Sequence, residues 1–173
     1  DGGLHGAFML TADLLHGLFR YDNATGNLIW RFTKSATAPA GSIAGSVNSK
    51  GHVNVQVNKK MYAAHQLVYA MHHNHIPAEI DHINGVKTDN RIENLRSCTS
   101  SQNKGNIGLL SSNITGYRGV SLNRRTGFYH AQIKINGKQT YLGRFDTPES
   151  AARVYNIAAK EHFGEFAYLN KVM

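Results

Sequence analysis

The chain has 173 residues, with 19 Lys and Arg against 11 Asp and Glu for a formal net charge of +8, a length that allows one ordinary domain or two small ones. Its 41% hydrophobic and 9% aromatic content excludes a fully disordered chain, and its single cysteine, Cys98, excludes a disulfide framework or a cysteine-based zinc cluster. No apolar run approaches the ~18 residues of a membrane span and no signal-peptide pattern opens the sequence, so the expectations are no membrane, a cytoplasmic location and, from the positive charge, a polyanionic partner such as nucleic acid.

Residues 4–60 read as a strand-rich N-terminal region. Leu28-Ile29-Trp30-Arg31-Phe32 follows a turn-rich stretch, and His52–Val57 alternates with period two. Residues 61–106 change texture. Ala64, Leu67, Val68 and Met71 share a helical face, and the pattern ends before Pro77. The stretch Ile80–Leu95 is dense in Asp, Asn and His; it reads as two short strands around a polar loop, followed by a short helix near Thr99–Asn106. Residues 107–116 form a Gly/Ser/Asn linker.

Residues 117–173 carry a clearer pattern. Tyr117–Leu122 is a strand candidate, and Phe128–Ile135 and Lys138–Phe145 flank Asn136-Gly137, a strong two-residue hairpin signal. Thr147 as N-cap and Pro148 at the first helical position open a helix that stops at Gly164. The turn register pairs Ile135 with Lys138 and Ile133 with Thr140, so Ala131, Ile133 and Ile135 face the helix. The opposite face shows His130, Gln132, Lys134, Gln139 and Tyr141, with Arg118 and Ser121 from the first strand. One helix covers one side of a sheet, so this face meets either solvent or a ligand; amide, cationic and aromatic groups on a rigid ribbon suit a DNA major groove.

Tyr117-Arg118-Gly119-Val120, Ala131-Gln132-Ile133, Tyr141-Leu142-Gly143-Arg144-Phe145-Asp146-Thr147, Ala151-Ala152-Arg153-Val154-Tyr155 and Gly164-Glu165 closely resemble an AP2 domain over residues 116–170. The resemblance implies a three-stranded antiparallel sheet packed on one helix that enters the major groove of double-stranded DNA. It places the DNA-binding positions at Arg118, Gly119, Ser121, Gln132, Lys134, Tyr141 and Arg144. Ser121 stands where plant members often have arginine and Tyr141 where they have tryptophan, so the plant target sequence does not transfer.

Hydrolysis of a phosphodiester near neutral pH needs a nucleophile, charge stabilisation at the phosphate and help for the leaving oxygen; a hard divalent cation beside a histidine base meets these needs. Asp81-His82 supplies a carboxylate and a base in sequence, although strand neighbours point to opposite faces. His65-Gln66-Leu67-Val68, Ile80-Asp81-His82-Ile83-Asn84-Gly85, Thr88–Arg96 and Ser101-Gln102-Asn103 resemble an HNH endonuclease of the phage and intron-homing type. That resemblance implies a ββα-metal fold, with Asp81 and Asn103 on the metal, His82 as general base, and Asn94 bracing the loop and orienting the base. The neutral amide of Asn103 favours one Mg²⁺ or Mn²⁺ per active site over zinc.

His65 reads as a structural hydrogen-bonding residue, and His72, His73 and His75 as a helix C-terminal cluster that could hold a second metal. Asn84, Asp89 and Asn90 read as loop caps, and Arg91, Arg96, Lys87 and Lys104 either grip phosphate or are solvated. Cys98 reads as a small core residue.

The expectation is therefore an α+β chain with a strand-rich N-terminal extension, an HNH unit and an AP2-like unit. Its expected function is a site-specific, metal-dependent DNA endonuclease of a phage-infected or bacterial host, nicking as a monomer or cutting both strands as a dimer. A catalytically silent DNA-binding regulator is the alternative from another class, and an RNA-directed enzyme is a third option.

Overall fold

A computed structural model describes residues 10–173; residues 4–9 of the expected strand-rich region lie outside that range. The chain divides into two compact units between Ser97 and Cys98.

In the first unit, α1 (Ala12–Leu18) leads into β1 (Phe19–Tyr21), which pairs antiparallel with β2 (Leu28–Trp30). The strand-rich reading of this region did not include this helix. Thr11 Oγ accepts from Leu14 N, Asp13 sits in the first turn, and Leu15 is buried with Leu14 and Leu18 half-buried beside it. These are N-terminal helix signals and helical spacing over only two turns. Strands β3 (Ser46–Val47), β4 (Val53–Val57) and β5 (Lys60–Ala63) form an antiparallel sheet in that order. Helix α2 (Ala64–His73) follows and ends where Asn74 turns left-handed at φ 56°. Ala64, Leu67, Val68 and Met71 are buried on it, as their spacing predicts, in a core with Leu15, Phe19, Leu28, Trp30 and Val55. Strand β6 (Glu79–His82) then pairs with β7 (Leu95–Cys98).

The second unit opens with α3 (Ser100–Gly105). Thr99 Oγ accepts from Gln102 N while Gln102 Oε1 accepts from Thr99 N, a reciprocal cap that starts a helix of six residues. Strands β8 (Val120–Leu122), β9 (Tyr129–Ile135) and β10 (Lys138–Phe145) form an antiparallel sheet with β9 central. Asn136 and Gly137 have φ of 48° and 82°, the mirror-image turn that their sequence predicts. Ile135 pairs with Lys138 and Ile133 with Thr140. Helix α4 (Pro148–Phe163) starts at Thr147, whose Oγ accepts from Ser150 N. It lies on the sheet through Tyr155 and through Ala151, Ala152, Ala158 and Ala159, whose small side chains permit close approach to Val120, Ala131 and Ile133.

Helix α3 falls in the second compact unit, where a Cβ on Gly105 would come 2.7 Å from the Phe163 ring of α4. Strand β10 carries a bulge between Tyr141 and Gly143, so that Arg144 pairs with His130 and Phe145 with Tyr129. The extra residue switches the face of everything after it. Among the described residues, no helix is long and apolar enough to cross a membrane.

Candidate active site and nucleic-acid face

Asp81 and His82 end β6 and are 4% and 6% exposed. Both Arg96 Nε and Arg96 Nη2 reach Asp81 Oδ2, at 2.9 and 2.8 Å. Arg96, one of the four candidate phosphate grips, thus comes from β7 to balance the buried carboxylate. His82 Nε2 lies 3.0 Å from Asn90 Oδ1, which fixes the proton on Nε2 and the ring lone pair on Nδ1.

The polar loop between β6 and β7 is closed by its own side chains. Asn94, 6% exposed, accepts from Asn84 N at 3.0 Å and donates through Nδ2 to Asn84 Oδ1 and the Asp89 carbonyl. Arg91 holds Asp89 in a two-pronged pair at 2.7 and 2.8 Å, and with Asn84 it keeps that carboxyl well below the usual carboxylate range. Asn94 thus turns its amide to the loop, and Asn90 is bonded to His82. The sequence reading assigned loop bracing and base orientation to Asn94 and gave Asn90 a capping role. Spacing could not separate these two asparagines, because the assignment depends on how residues 83–93 coil between the strands.

Of the remaining basic groups, Arg91 is occupied by Asp89, Lys87 Nζ donates to the Lys50 carbonyl, and Lys104 lies exposed on α3. Asn103 is on α3, in the second unit.

Histidine supplies what the sequence did not foresee. His52, just before β4, His65 on α2 and His82 offer ligand atoms that all lie within 4.8 Å of one another. The rings approach pairwise, with centroids 5.3 Å apart for His52–His65, 5.0 Å for His65–His82 and 6.0 Å for His52–His82. Burial, with His82 and His52 beside it, pushes His65 down to about 3 and keeps it neutral. Its Nδ1 is buried without a hydrogen-bond partner, contrary to the structural bond expected of it. Separations of 13 and 17 residues match no metal-ligand spacing, so no sequence signal marked this group. His72, His73 and His75, the cluster flagged at the helix end, are engaged locally: His72 Nδ1 lies 2.8 Å from the Val68 carbonyl, His73 stacks on Tyr69, and His75 Nδ1 lies 3.0 Å from the His73 carbonyl.

On the sheet of the second unit, cross-strand pairs share a face. Ser121, His130 and Arg144 form one row, Gln132 and Tyr141 the next, and Lys134 and Gln139 the third. Tyr141 is 59% exposed and meets His130 edge-on, while Arg144 stacks over Phe128 at 4.3 Å. Without the bulge, Arg144 would point toward α4.

Arg118 and Gly119, expected at the DNA face, also make contacts inside the unit. The Arg118 guanidinium donates to the carbonyls of Lys104, Gly105 and Ile107, closing the C-terminal end of α3, and lies about 6 Å from the Tyr155 and Tyr168 rings. Gly119 has φ of 73°, and a Cβ there would come 2.1 Å from the Tyr155 ring and 2.7 Å from the Gln132 carbonyl.

Residues 62–104 match the family model of the HNH endonucleases. An uncharacterised HNH endonuclease of Acanthamoeba polyphaga mimivirus is 41% identical over 99 residues, 56% of this chain and 50% of that protein. An AP2-like ethylene-responsive transcription factor of Arabidopsis thaliana is 47% identical over 62 residues, and an APETALA2-like protein of Oryza sativa 48% over 59; they cover 36% and 34% of this chain. The chain spans half the length of the viral relative and 13% and 14% of the plant ones. These likenesses, with β6, β7 and most of α3 inside the matched segment and the three-stranded sheet on α4 beyond it, support an HNH endonuclease segment together with an AP2-like one over part of the chain.

Proposed function

We propose that the chain is a metal-dependent, site-specific DNA endonuclease of the homing type, in which the HNH segment hydrolyses a phosphodiester and the AP2-like sheet docks the duplex. The observation that carries this reading is the buried pair Asp81-His82, its carboxylate balanced by Arg96 and its imidazole fixed by Asn90, within the segment that matches the HNH endonucleases.

His82 Nδ1 takes the proton from the attacking water as the new oxygen–phosphorus bond forms. The Asn90 carbonyl oxygen on Nε2–H holds that tautomer and stays bonded to the imidazolium that results. Asn94 acts a step away, holding the loop from which Asn90 projects. Asp81 contributes a buried carboxylate, the kind of oxygen donor a hard cation takes, and the HNH resemblance is the ground for proposing Asn103 as its amide partner, with water and phosphate completing such a shell. One Mg²⁺ or Mn²⁺ held there would polarise the phosphate and stabilise the departing oxygen. Products carry 5′-phosphate and 3′-hydroxyl ends. A single site cuts one strand, so a monomer nicks and a dimer cuts both.

Docking falls to Ser121, Gln132, Lys134, Tyr141 and Arg144, with His130 in the same rows; Gln132 has the donor and acceptor pair that reads adenine, and Lys134 is a phosphate contact. Lys134→Ala is expected to weaken binding about equally for all duplex sequences and to lower the slope of log affinity against log salt by about 1. Gel shifts over a salt series measure this. An unchanged slope would remove Lys134 from the interface. The enzymatic half of the reading is tested by incubating duplex DNA with the chain and Mg²⁺, against the same reaction in EDTA.

A further inference from the structure

We propose that His52, His65 and His82 form a second metal site, selective for a borderline transition-metal ion such as Zn²⁺, and that an ion bound there silences the nuclease by occupying its base. The binding half stands by itself; the silencing half rests on His82 being the base.

Three observations converge on the site. The imidazoles arrive from the residue before β4, from α2 and from β6, yet their ligand atoms lie within 4.8 Å of one another. His65 Nδ1 is buried without a hydrogen-bond partner, a cost that a coordinated cation removes. Third, Asn90 anchors His82 through Nε2, the kind of outer contact that orients a ligating histidine and sets its lone pair on the other nitrogen.

The donor chemistry separates this site from the one proposed at Asp81. Three imidazoles and no carboxylate suit Zn²⁺, Co²⁺, Ni²⁺ or Cu²⁺, whereas Mg²⁺ requires oxygen. A tetrahedral zinc with Zn–N bonds of about 2.0–2.1 Å sets its nitrogens about 3.4 Å apart. The rings therefore close by an ångström or so, which small side-chain rotations supply. Three protein ligands leave a fourth position for water. The His82 lone pair cannot hold a metal and accept a proton together. Zinc and the hard cation therefore oppose each other in effect without sharing a binding site.

The experiment titrates the purified chain with Co²⁺ as a spectroscopic probe, displaces it with Zn²⁺, and then measures cleavage in Mg²⁺ with and without Zn²⁺. Expected are one Co²⁺ per chain with the visible absorption of a nitrogen-ligated ion, displacement by one Zn²⁺, and affinity about tenfold or more weaker in His52→Ala and in His65→Ala. Asn103→Ala should keep the spectrum, because it removes only the proposed hard-cation ligand. Zinc should slow cleavage by about tenfold or more in the natural chain, and far less in His52→Ala, read as the ratio with and without zinc in the same variant. His52 is only half-buried, so that variant carries the test if His65→Ala misfolds by circular dichroism. No stoichiometric Co²⁺ or Zn²⁺ binding overturns the site. Binding that leaves Mg²⁺-dependent cleavage untouched overturns the silencing. Stoichiometric binding by a chain that never cuts DNA supports the site and overturns the nuclease reading.

Discussion

His82→Ala is expected to slow phosphodiester cleavage by about 10²-fold or more while leaving DNA retention in a gel shift unchanged. A loss of that size corresponds to about 2.7 kcal/mol of transition-state stabilisation. The expectation follows from position and tautomer. His82 is 6% exposed at the end of β6 beside the Asp81 carboxylate, and the Asn90 amide oxygen puts its lone pair on Nδ1. Alanine removes the proton acceptor without touching the sheet of the second unit. Asn90→Ala keeps the imidazole and removes its anchor, so its rate should fall between those of the natural chain and His82→Ala. Single-turnover cleavage of a labelled duplex, with a thermal melt of each variant to exclude unfolding, gives both numbers. Cleavage that survives His82→Ala would move the chemistry to another residue.

Gly119→Ala should unfold or nearly unfold the second unit. The substitution meets two penalties together. At φ of 73° an alanine is strained, and its Cβ would sit 2.1 Å from the Tyr155 ring, which is itself buried between α4 and the sheet. Left-handed strain of about 1 kcal/mol or more and overpacking of about 1–3 kcal/mol sum to a large share of a small domain's stability. A fall in Tm of at least about 10 °C in calorimetry is the expected result. A variant with normal Tm and weakened DNA binding would restore Gly119 to the interface, where the AP2 resemblance had placed it. Arg118 belongs to the same internal structure, since its guanidinium closes the end of α3, the helix carrying Asn103.

The second unit was legible because its signals are local. Asn136-Gly137 fixed one register, Thr147-Pro148 and Gly164 bounded one helix, and period-two alternation sorted Ala131 and Ile133 inward. The β10 bulge was not legible, since nothing in Tyr141-Leu142-Gly143 distinguishes a bulged strand from a regular one; it decides the face of Arg144. The internal contacts of Arg118 and Gly119 were not legible either, because a position shared across a family does not say what else its residue touches. In the first unit, Asp81 and His82 could be found because they are adjacent. The roles of Asn90 and Arg96 could not, because they depend on loop conformation and on the β6–β7 pairing. The histidine group could not be seen at all. It is assembled from the start of β4, from α2 and from β6, and only tertiary packing brings those points together.

The most direct test of the account is the conversion of a supercoiled plasmid pool with randomised inserts by the purified chain, run in Mg²⁺ and in EDTA. Open-circular product is expected, or linear product if the chain dimerises on DNA. The product should form only with the metal and carry ends that DNA ligase rejoins without prior phosphatase or kinase treatment. A pool that the chain retains in a gel shift and leaves fully supercoiled in Mg²⁺ would contradict the nuclease reading and identify a silent DNA-binding protein in its place.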